Sequence, residues 1–222
     1  YCVCPTTILS AIDASVGGKT AVDLSFGKNL VGAFYSPSLV YVNVSCFDFL
    51  PAREVESGMG EAVKYAFIDK RVSAEDIAGD MENLVMKCVE IKNEIVKKDE
   101  FETKPRGGRT VLNLGHTIGH ALEASSGYSL SHGLCVAYGI KRIIDLSADF
   151  YGLSNEKIEE MKALLNVYPF NFPIDADMRD VKSRMLFDKK VSGSDIRLVL
   201  LKGVGESAVE KVPISKVWKL LK

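Results

Sequence analysis

Asn113-Leu114-Gly115-His116-Thr117-Ile118-Gly119-His120-Ala121-Leu122-Glu123, with His132-Gly133 shortly after, contains all three histidines of this 222-residue chain. Residues four apart on a helix share a face, so His116 and His120 present both rings to one ion or one substrate. Gly127 lets the chain turn back before His132. Three imidazoles within 17 residues suggest a metal centre. Catalytic zinc takes three histidine or carboxylate ligands and keeps one position open for water or a substrate oxygen. Two histidines and one carboxylate satisfy that, but spacing alone does not choose the carboxylate. Glu61 is a candidate, because the glycines of Gly58-Met59-Gly60-Glu61-Ala62 allow its helix to approach another closely. The competing reading leaves the histidines hydrogen-bonded to backbone at a helix end.

Helical spacing continues on both sides of this stretch. Val55, Met59, Ala62, Val63, Ala66 and Phe67 form one apolar stripe, Leu84, Cys88, Ile91 and Ile95 another, and Ile140, Ile143 and Ile144 a third. Shorter helices are expected over 155–165 and 177–187, a strand over 196–201, and a last helix after Pro213. Before Pro51 the texture differs. Tyr1 to Cys4 is β-prone, Thr6 or Thr7 can cap a helix carrying Ile8, Leu9 and Ile12, and Leu39 to Val44 alternates as a strand does. The glycine-rich stretch 13–38 reads as an ordered loop. The expected fold is mainly α: a helical metal- and substrate-binding domain over 51–222, preceded over 1–50 by a partial α/β, Rossmann-like remnant.

Lys plus Arg number 28 against 29 for Asp plus Glu, with no block of like charge, so neither a nucleic-acid nor a membrane surface is indicated. No apolar run is long enough to cross a bilayer. Five scattered cysteines fit reduced thiols and a cytoplasmic enzyme rather than a disulfide framework.

Several cations suit an anionic ligand. Lys92 falls on an otherwise apolar stripe, where an unpaired ammonium is costly and a buried anion would relieve the cost. The alternative is that its stem runs along the helix to water. Lys64 lies one turn from Glu61; such pairs are usually weak surface contacts, but beside a metal this one could place a cation next to the substrate. Gly17-Gly18-Lys19-Thr20 is not a nucleotide-triphosphate loop, because Ile12 stands where that pattern requires glycine. Its exposed amides and Lys19, with Lys28 and Asn29, can still hold a phosphate monoester.

Taken in order, Pro5-Thr6-Thr7, Asp13 to Thr20, Gly27 to Phe34, Leu50 to Glu54, Gly58 to Tyr65, Asn113 to Glu123, His132-Gly133 and Asp188-Lys189-Lys190 resemble 3-dehydroquinate synthase, a sugar phosphate cyclase. The resemblance implies that Glu61, His116 and His132 bind one divalent metal, zinc or cobalt, and that His120 contacts the substrate with acid/base character. It further implies a substrate pocket of Asp13, Lys19, Asn29, Lys64, Lys92, Arg109, Asn113, His120 and Lys189, in which the substrate supplies the anion for Lys92. Lys19 and Lys64 join His120 as the catalytic set. Thr6, Thr7, Lys28, Cys46, Phe47, Asp48 and Phe49 would border NAD. The implied reaction converts 3-deoxy-D-arabino-heptulosonate 7-phosphate to 3-dehydroquinate and phosphate, in the shikimate pathway of aromatic amino acid biosynthesis. The family is generally dimeric.

The chain departs from the family pattern in three places. Leu134 replaces the glutamate of His-Gly-Glu, removing a carboxylate from beside the metal site. Phe101 interrupts Asp-Glu-Arg-Glu, and extra residues over 104–108 precede Arg109. The family also has a cofactor-binding region before Pro5, so the expectation is an incomplete enzyme, inactive or weak alone. The rival readings are a related cyclase such as 2-deoxy-scyllo-inosose synthase, whose substrate has no carboxylate, a metal-dependent polyol dehydrogenase, and a non-catalytic helical metal-binding module.

Overall fold

The structure, a computed structural model, describes residues 1–24, 27–104, 107–172, 174, 176–186 and 191–221. The helical part is built around α5 (His132–Tyr151), whose buried face takes in Leu134, Val136, Ile140, Ile143 and Ile144. Ser131 caps its start by accepting the Leu134 N–H at 3.3 Å, and Gly152, at φ 64°, ends it in the left-handed conformation that glycine tolerates. Against α5 pack α1 (Ala52–Ile68), α4 (His116–Ser125) and α6 (Asn155–Leu165). Around them lie α2 (Ala74–Ala78), α3 (Met81–Lys98), α7 (Met178–Leu186) and α8 (Ile214–Leu220).

Glycine sets the spacing of the central helices. A Cβ on Gly60 would lie 2.1 Å from the Gly133 carbonyl oxygen, and one on Gly133 would lie 2.0 Å from that of Ser57. Backbone therefore meets backbone where α1 crosses α5, which places Glu61 beside His132. The glycines of Gly58 to Ala62 permit the close approach expected of them: a Cβ on Gly58 would sit 2.3 Å from Ile8.

Before Pro51, β1 (Cys2–Val3) pairs in parallel with β4 (Leu39–Val40), and Thr7 caps the following turn by accepting the Ser10 N–H at 3.1 Å. Two expectations need correction. Residues 13–38 are not a loop: a π-helical turn spans Ser10–Ala14, and β2 (Lys19–Leu24) and β3 (Gly27–Phe34) form an antiparallel hairpin. The hairpin leaves Val22 and Val31 exposed, so it lacks the buried alternation that marks a strand in sequence. The strand at 39–44 stops at Val40, since its partner β1 ends before Pro5, and Val44–Phe49 winds into a 3-10 helix capped by Asn43. At the other end, β5 (Val191–Ser192), β6 (Asp195–Gly203) and β7 (Glu206–Pro213) form an antiparallel sheet on α5, with β6 containing the expected strand. Among the described residues no helix is long and apolar enough to cross a membrane.

Candidate metal and substrate site

His116 and His132 each open a helix, α4 and α5, and both point at the middle of α1. His116 Nε2 lies 3.3 Å and His132 Nε2 3.2 Å from the same oxygen, Glu61 Oε1. The outer nitrogens fix the tautomers. His116 Nδ1 faces the Leu114 carbonyl at 3.0 Å and His132 Nδ1 faces Glu123 Oε2 at 3.1 Å; both are acceptors, so each Nδ1 carries the hydrogen. When neutral, a ring so held presents a bare Nε2 lone pair to the carboxylate oxygen. Two lone pairs and a carboxylate repel one another unless a cation or a proton lies between them. An imidazole that donates its second N–H to a carbonyl or carboxylate is also the usual arrangement of a metal-bound histidine. The donor set fits a divalent ion of zinc type. Burial opposes charge on His132, yet its hydrogen bonds to Glu123 and Glu61 outweigh that and push its pKa up to about 9.

His120 joins the cluster, with ring nitrogens of His116, His120 and His132 all within 4.8 Å of one another. Geometry therefore permits a three-histidine set as well as the set with Glu61. They differ in setting: Glu61 is fully buried and contacts the rings of His116 and His132, whereas His120 is exposed.

A line of buried charge runs from Glu61. The Lys64 ammonium, 1% exposed, pairs with Glu61 Oε2 and lies 3.9 Å from Asp13 Oδ1, and Asp13 in turn accepts from Lys92 Nζ at 2.6 Å. Burial would raise the acids, but Lys64, with His116 beside Glu61 and Lys92 beside Asp13, outweighs it and holds both carboxyls below their usual range, Glu61 well below. Burial would lower Lys64, and Glu61 with Asp13 reverses this. For Lys92 burial wins over Asp13, and its pKa is lowered. The Glu61–Lys64 contact, for which the sequence left open a weak surface pair or a cation beside the substrate, is a buried ion pair. The anion beside Lys92 is a residue of the chain itself, Asp13, which lies 79 positions away and could not be found by spacing.

Asp13, Lys19, Lys92 and Arg109 line one cleft of about 560 Å³, closed on its other side by Gly32, Ala33 and Phe34 of the hairpin. Arg109 is buried, gives a hydrogen bond to the Glu100 carbonyl at 2.9 Å, and stands over the Phe34 ring. Despite the extra residues before it, its backbone N–H is held at 3.0 Å by Asp99, which also accepts the Thr103 N–H at 2.9 Å. Lys19 pairs with Glu102, which accepts from Asn113 Nδ2 at 3.0 Å. The Lys189 side chain lies outside the described residues, as do those of Lys28 and Asn29. Of the residues expected to border NAD, Thr6, Asp48 and Phe49 are exposed, Cys46 and Thr7 are half-buried, and Phe47 is packed in the core.

Sequence reasoning missed Glu123 and the pairing of Glu102. Glu123 sits three residues beyond His120, and its one signal was a carboxylate on the turn after a histidine pair. Leu134 is buried, and the carboxylate that meets His132 is that of Glu123.

Comparison with known proteins identifies the family and the fold. The family model described as 3-dehydroquinate synthase N-terminal matches residues 1–57, and that described as 3-dehydroquinate synthase C-terminal matches residues 58–191. The chain is 37% identical over 221 residues to 3-dehydroquinate synthase of Francisella tularensis subsp. holarctica, covering 93% of this chain and 61% of the relative, and equally similar to that of Francisella tularensis subsp. mediasiatica. It thus spans about three fifths of the length of these relatives. Among solved structures, 2-deoxy-scyllo-inosose synthase complexed with carbaglucose-6-phosphate, NAD+ and Co2+ superposes with a TM-score of 0.88 at 24% identity, covering 99% of this chain and 66% of that one. The 2-epi-5-epi-valiolone synthase of Streptomyces hygroscopicus, with NAD+ and Zn2+ bound, gives 0.80 at 20% identity, covering 100% and 65%. These two likenesses establish a shared fold. The family matches over residues 1–191 establish membership: the chain belongs to the 3-dehydroquinate synthase family.

Proposed function

We propose that this chain carries the metal- and substrate-binding part of a 3-dehydroquinate synthase, a phosphate-eliminating lyase that turns 3-deoxy-D-arabino-heptulosonate 7-phosphate into 3-dehydroquinate. The observation that carries the proposal is the convergence of two tautomer-fixed imidazoles and a buried carboxylate on one point. Glu61, His116 and His132 hold the metal, and His120 faces the substrate. A bound divalent ion supplies Lewis acidity toward vicinal substrate oxygens, and NAD supplies a transient oxidation of the ring alcohol. The remaining roles belong to side chains of the chain. Arg109, Lys92 and Lys19 fix the carboxylate and phosphate of the substrate, which converts a flexible sugar acid into a geometry close to reaction. Asp13 orients Lys92 and Lys64, and Lys64 neutralises Glu61 so that the carboxylate tolerates burial. Residues 1–50 belong to the NAD side, with Thr6, Thr7, Lys28 and the segment 46–49 at its border, and 51–222 to the metal side. Lys189 and Asn29 complete the substrate pocket on the family pattern.

The 37% identity to named 3-dehydroquinate synthases supports the substrate assignment. The buried Arg109 in the cleft favours a substrate bearing a carboxylate over the carboxylate-free substrate of the inosose synthase. Five free cysteines fit a cytoplasmic location, and a homodimer is the expected assembly. The test is phosphate release by the gene product that carries this sequence, with NAD and zinc, from the heptulosonate phosphate and from glucose 6-phosphate. Turnover of the first alone is expected, abolished by Glu61→Ala. Undiminished turnover in that variant, or a preference for glucose 6-phosphate, overturns the assignment.

A further inference from the structure

Glu102 stands on the turn that follows α3. Its φ of 53° lies in the left-handed region, which a side chain beyond Cβ rarely adopts. Its backbone N–H donates to the Asp99 carbonyl at 3.2 Å, and the Asp99 carboxylate ties down both Thr103 and Arg109, so the turn aims Glu102 in one direction. One carboxylate oxygen pairs with Lys19 and the other accepts from Asn113 at 3.0 Å. Lys19 belongs to the wall of the 560 Å³ cleft, with Lys92 and Arg109. Glu102 and Asn113 belong to the wall of a second cleft, of about 480 Å³, together with Thr110, Thr117 and Arg197. The Lys19 side chain is half exposed, and an exposed lysine–glutamate pair adds little to folding, whereas a non-glycine residue at positive φ costs stability. An outlier that stability does not reward points to use by a ligand.

We propose that Glu102 occupies the seat of a substrate oxyanion and sets the affinity of the cleft for it. This rests on the reading of the cleft as an anion site. An ammonium and an amide N–H converging on two oxygens of one carboxylate offer the contacts that a phosphate or a substrate carboxylate would need. An incoming oxyanion must displace Glu102 from Lys19 and Asn113 or endure its charge. A singly charged anion exchanges one charge for another, while a dianion gains, so Glu102 biases the seat toward the more highly charged group.

The test titrates the 222-residue chain with inorganic phosphate and, separately, with acetate, by calorimetry, in wild type, Glu102→Gln and Glu102→Gly. Removing one like charge beside the anion in a solvent-open cleft tightens binding of the seated anion by about 10-fold. Both variants show the gain, although glutamine keeps the φ strain and glycine relieves it. Lys19→Gln abolishes the gain, because the two sites act through one contact. Thermal melts confirm that each variant is folded. The arm that responds, phosphate or acetate, identifies the class of anion. Equal affinity in wild type and both variants removes the role of Glu102 and leaves the anion cleft standing. Absence of binding in every variant at millimolar anion removes the cleft reading and the inference together.

Discussion

Gly60→Ala is the sharpest test of how the helices position the site. The added Cβ would sit 2.1 Å from the Gly133 carbonyl oxygen, against 3.4 Å at the near edge of ordinary contact, so α1 and α5 must part by about 1.3 Å. The obstacle is backbone on a buried helix, which has no rotamer to change. Overpacking costs typically 1–3 kcal/mol, and a rigid obstacle places this case near 3 kcal/mol. For a chain of this length each kcal/mol lowers Tm by about 2–4 °C, so a fall of about 6–12 °C is expected in calorimetry on metal-free protein. Glu61 follows Gly60 and His132 precedes Gly133, so the same separation pulls apart two groups now 3.2 Å from each other. Zinc affinity, read by competition with a chelator, falls by at least the ~10–100-fold typical of disturbed partners of metal ligands. Gly152→Ala is the control: its Cβ meets nothing within 4 Å, and only the positive φ is penalised, by about 1 kcal/mol, with zinc affinity unchanged. A Gly60→Ala chain that melts within about 1 °C of wild type and binds zinc equally well would show that the close crossing of α1 and α5 does not set the geometry of the site.

Glu123→Gln keeps the size of the side chain but weakens its hold on His132 Nδ1, and zinc affinity drops about 10–100-fold while the far-ultraviolet dichroism is unchanged. Zinc supplied at about 100 times its Kd raises unfolding free energy by about 2.7 kcal/mol, and a chelator removes the gain; a melt indifferent to zinc would count against the site. Lys92→Met strips Asp13 of its nearest partner, so the variant loses phosphate affinity by calorimetry and is destabilised by about 3 kcal/mol in urea melts. Asp76, which accepts from Lys87, Asn83 and the Ser73 N–H, has its pKa lowered: burial raises it, and the Lys87 and Ser73 bonds outweigh that. Its stabilisation is therefore present above about pH 4, the unfolded value, and disappears as pH falls through the lower folded pKa. The stability gap between wild type and Asp76→Asn narrows between pH 5 and pH 2 in urea melts, and a gap that widens on acidification refutes the assignment.

What the sequence disclosed depended on how local the signal was. The helices of the second part announce themselves through apolar periodicity, and α4 and α5 could be placed around the histidines before any coordinates. The β2–β3 hairpin could not, because neither of its faces is buried enough to leave an alternating pattern; Val22 and Val31 look outward. Strand β7 escaped for another reason. Gly203-Val204-Gly205, with Gly205 at φ 69°, is a turn between two strands, and reading that punctuation would have given β6 its partner. Within the site, the metal candidates were legible as residue types and segments. The carboxylate was fixed by resemblance, and in the fold Glu61 meets His132 across 71 positions. Of the partners made by the fold, Asp13 for Lys92 left no mark that spacing could detect, and Glu123 for His132 left only its place one turn after the histidine pair.

The distribution of charge ties these partners to the proposed chemistry. Glu61, Lys64, Asp13 and Lys92 alternate in sign, so the buried line balances and each member lowers the cost of burying the next. Lys19 and Glu102 balance in the same way at the cleft rim, and Arg109, buried in the cleft wall, has the carboxylates of Glu102, Asp13, Asp99 and Glu100 around it. A divalent ion held as proposed by Glu61, His116 and His132 would add positive charge, of which the Glu123 carboxylate beside His132 offsets part. On the proposed function the rest of the complement comes from the ligand, and a phosphate dianion joined to a carboxylate would provide it. The balanced line allows four charges to be buried together, and on the proposed function the added charge of the ion would make affinity for a multiply charged sugar acid depend on the metal. Phosphate affinity of the chain should accordingly rise on adding zinc, and the increment should vanish in Glu61→Ala. An increment that survives that substitution would separate the anion cleft from the metal centre.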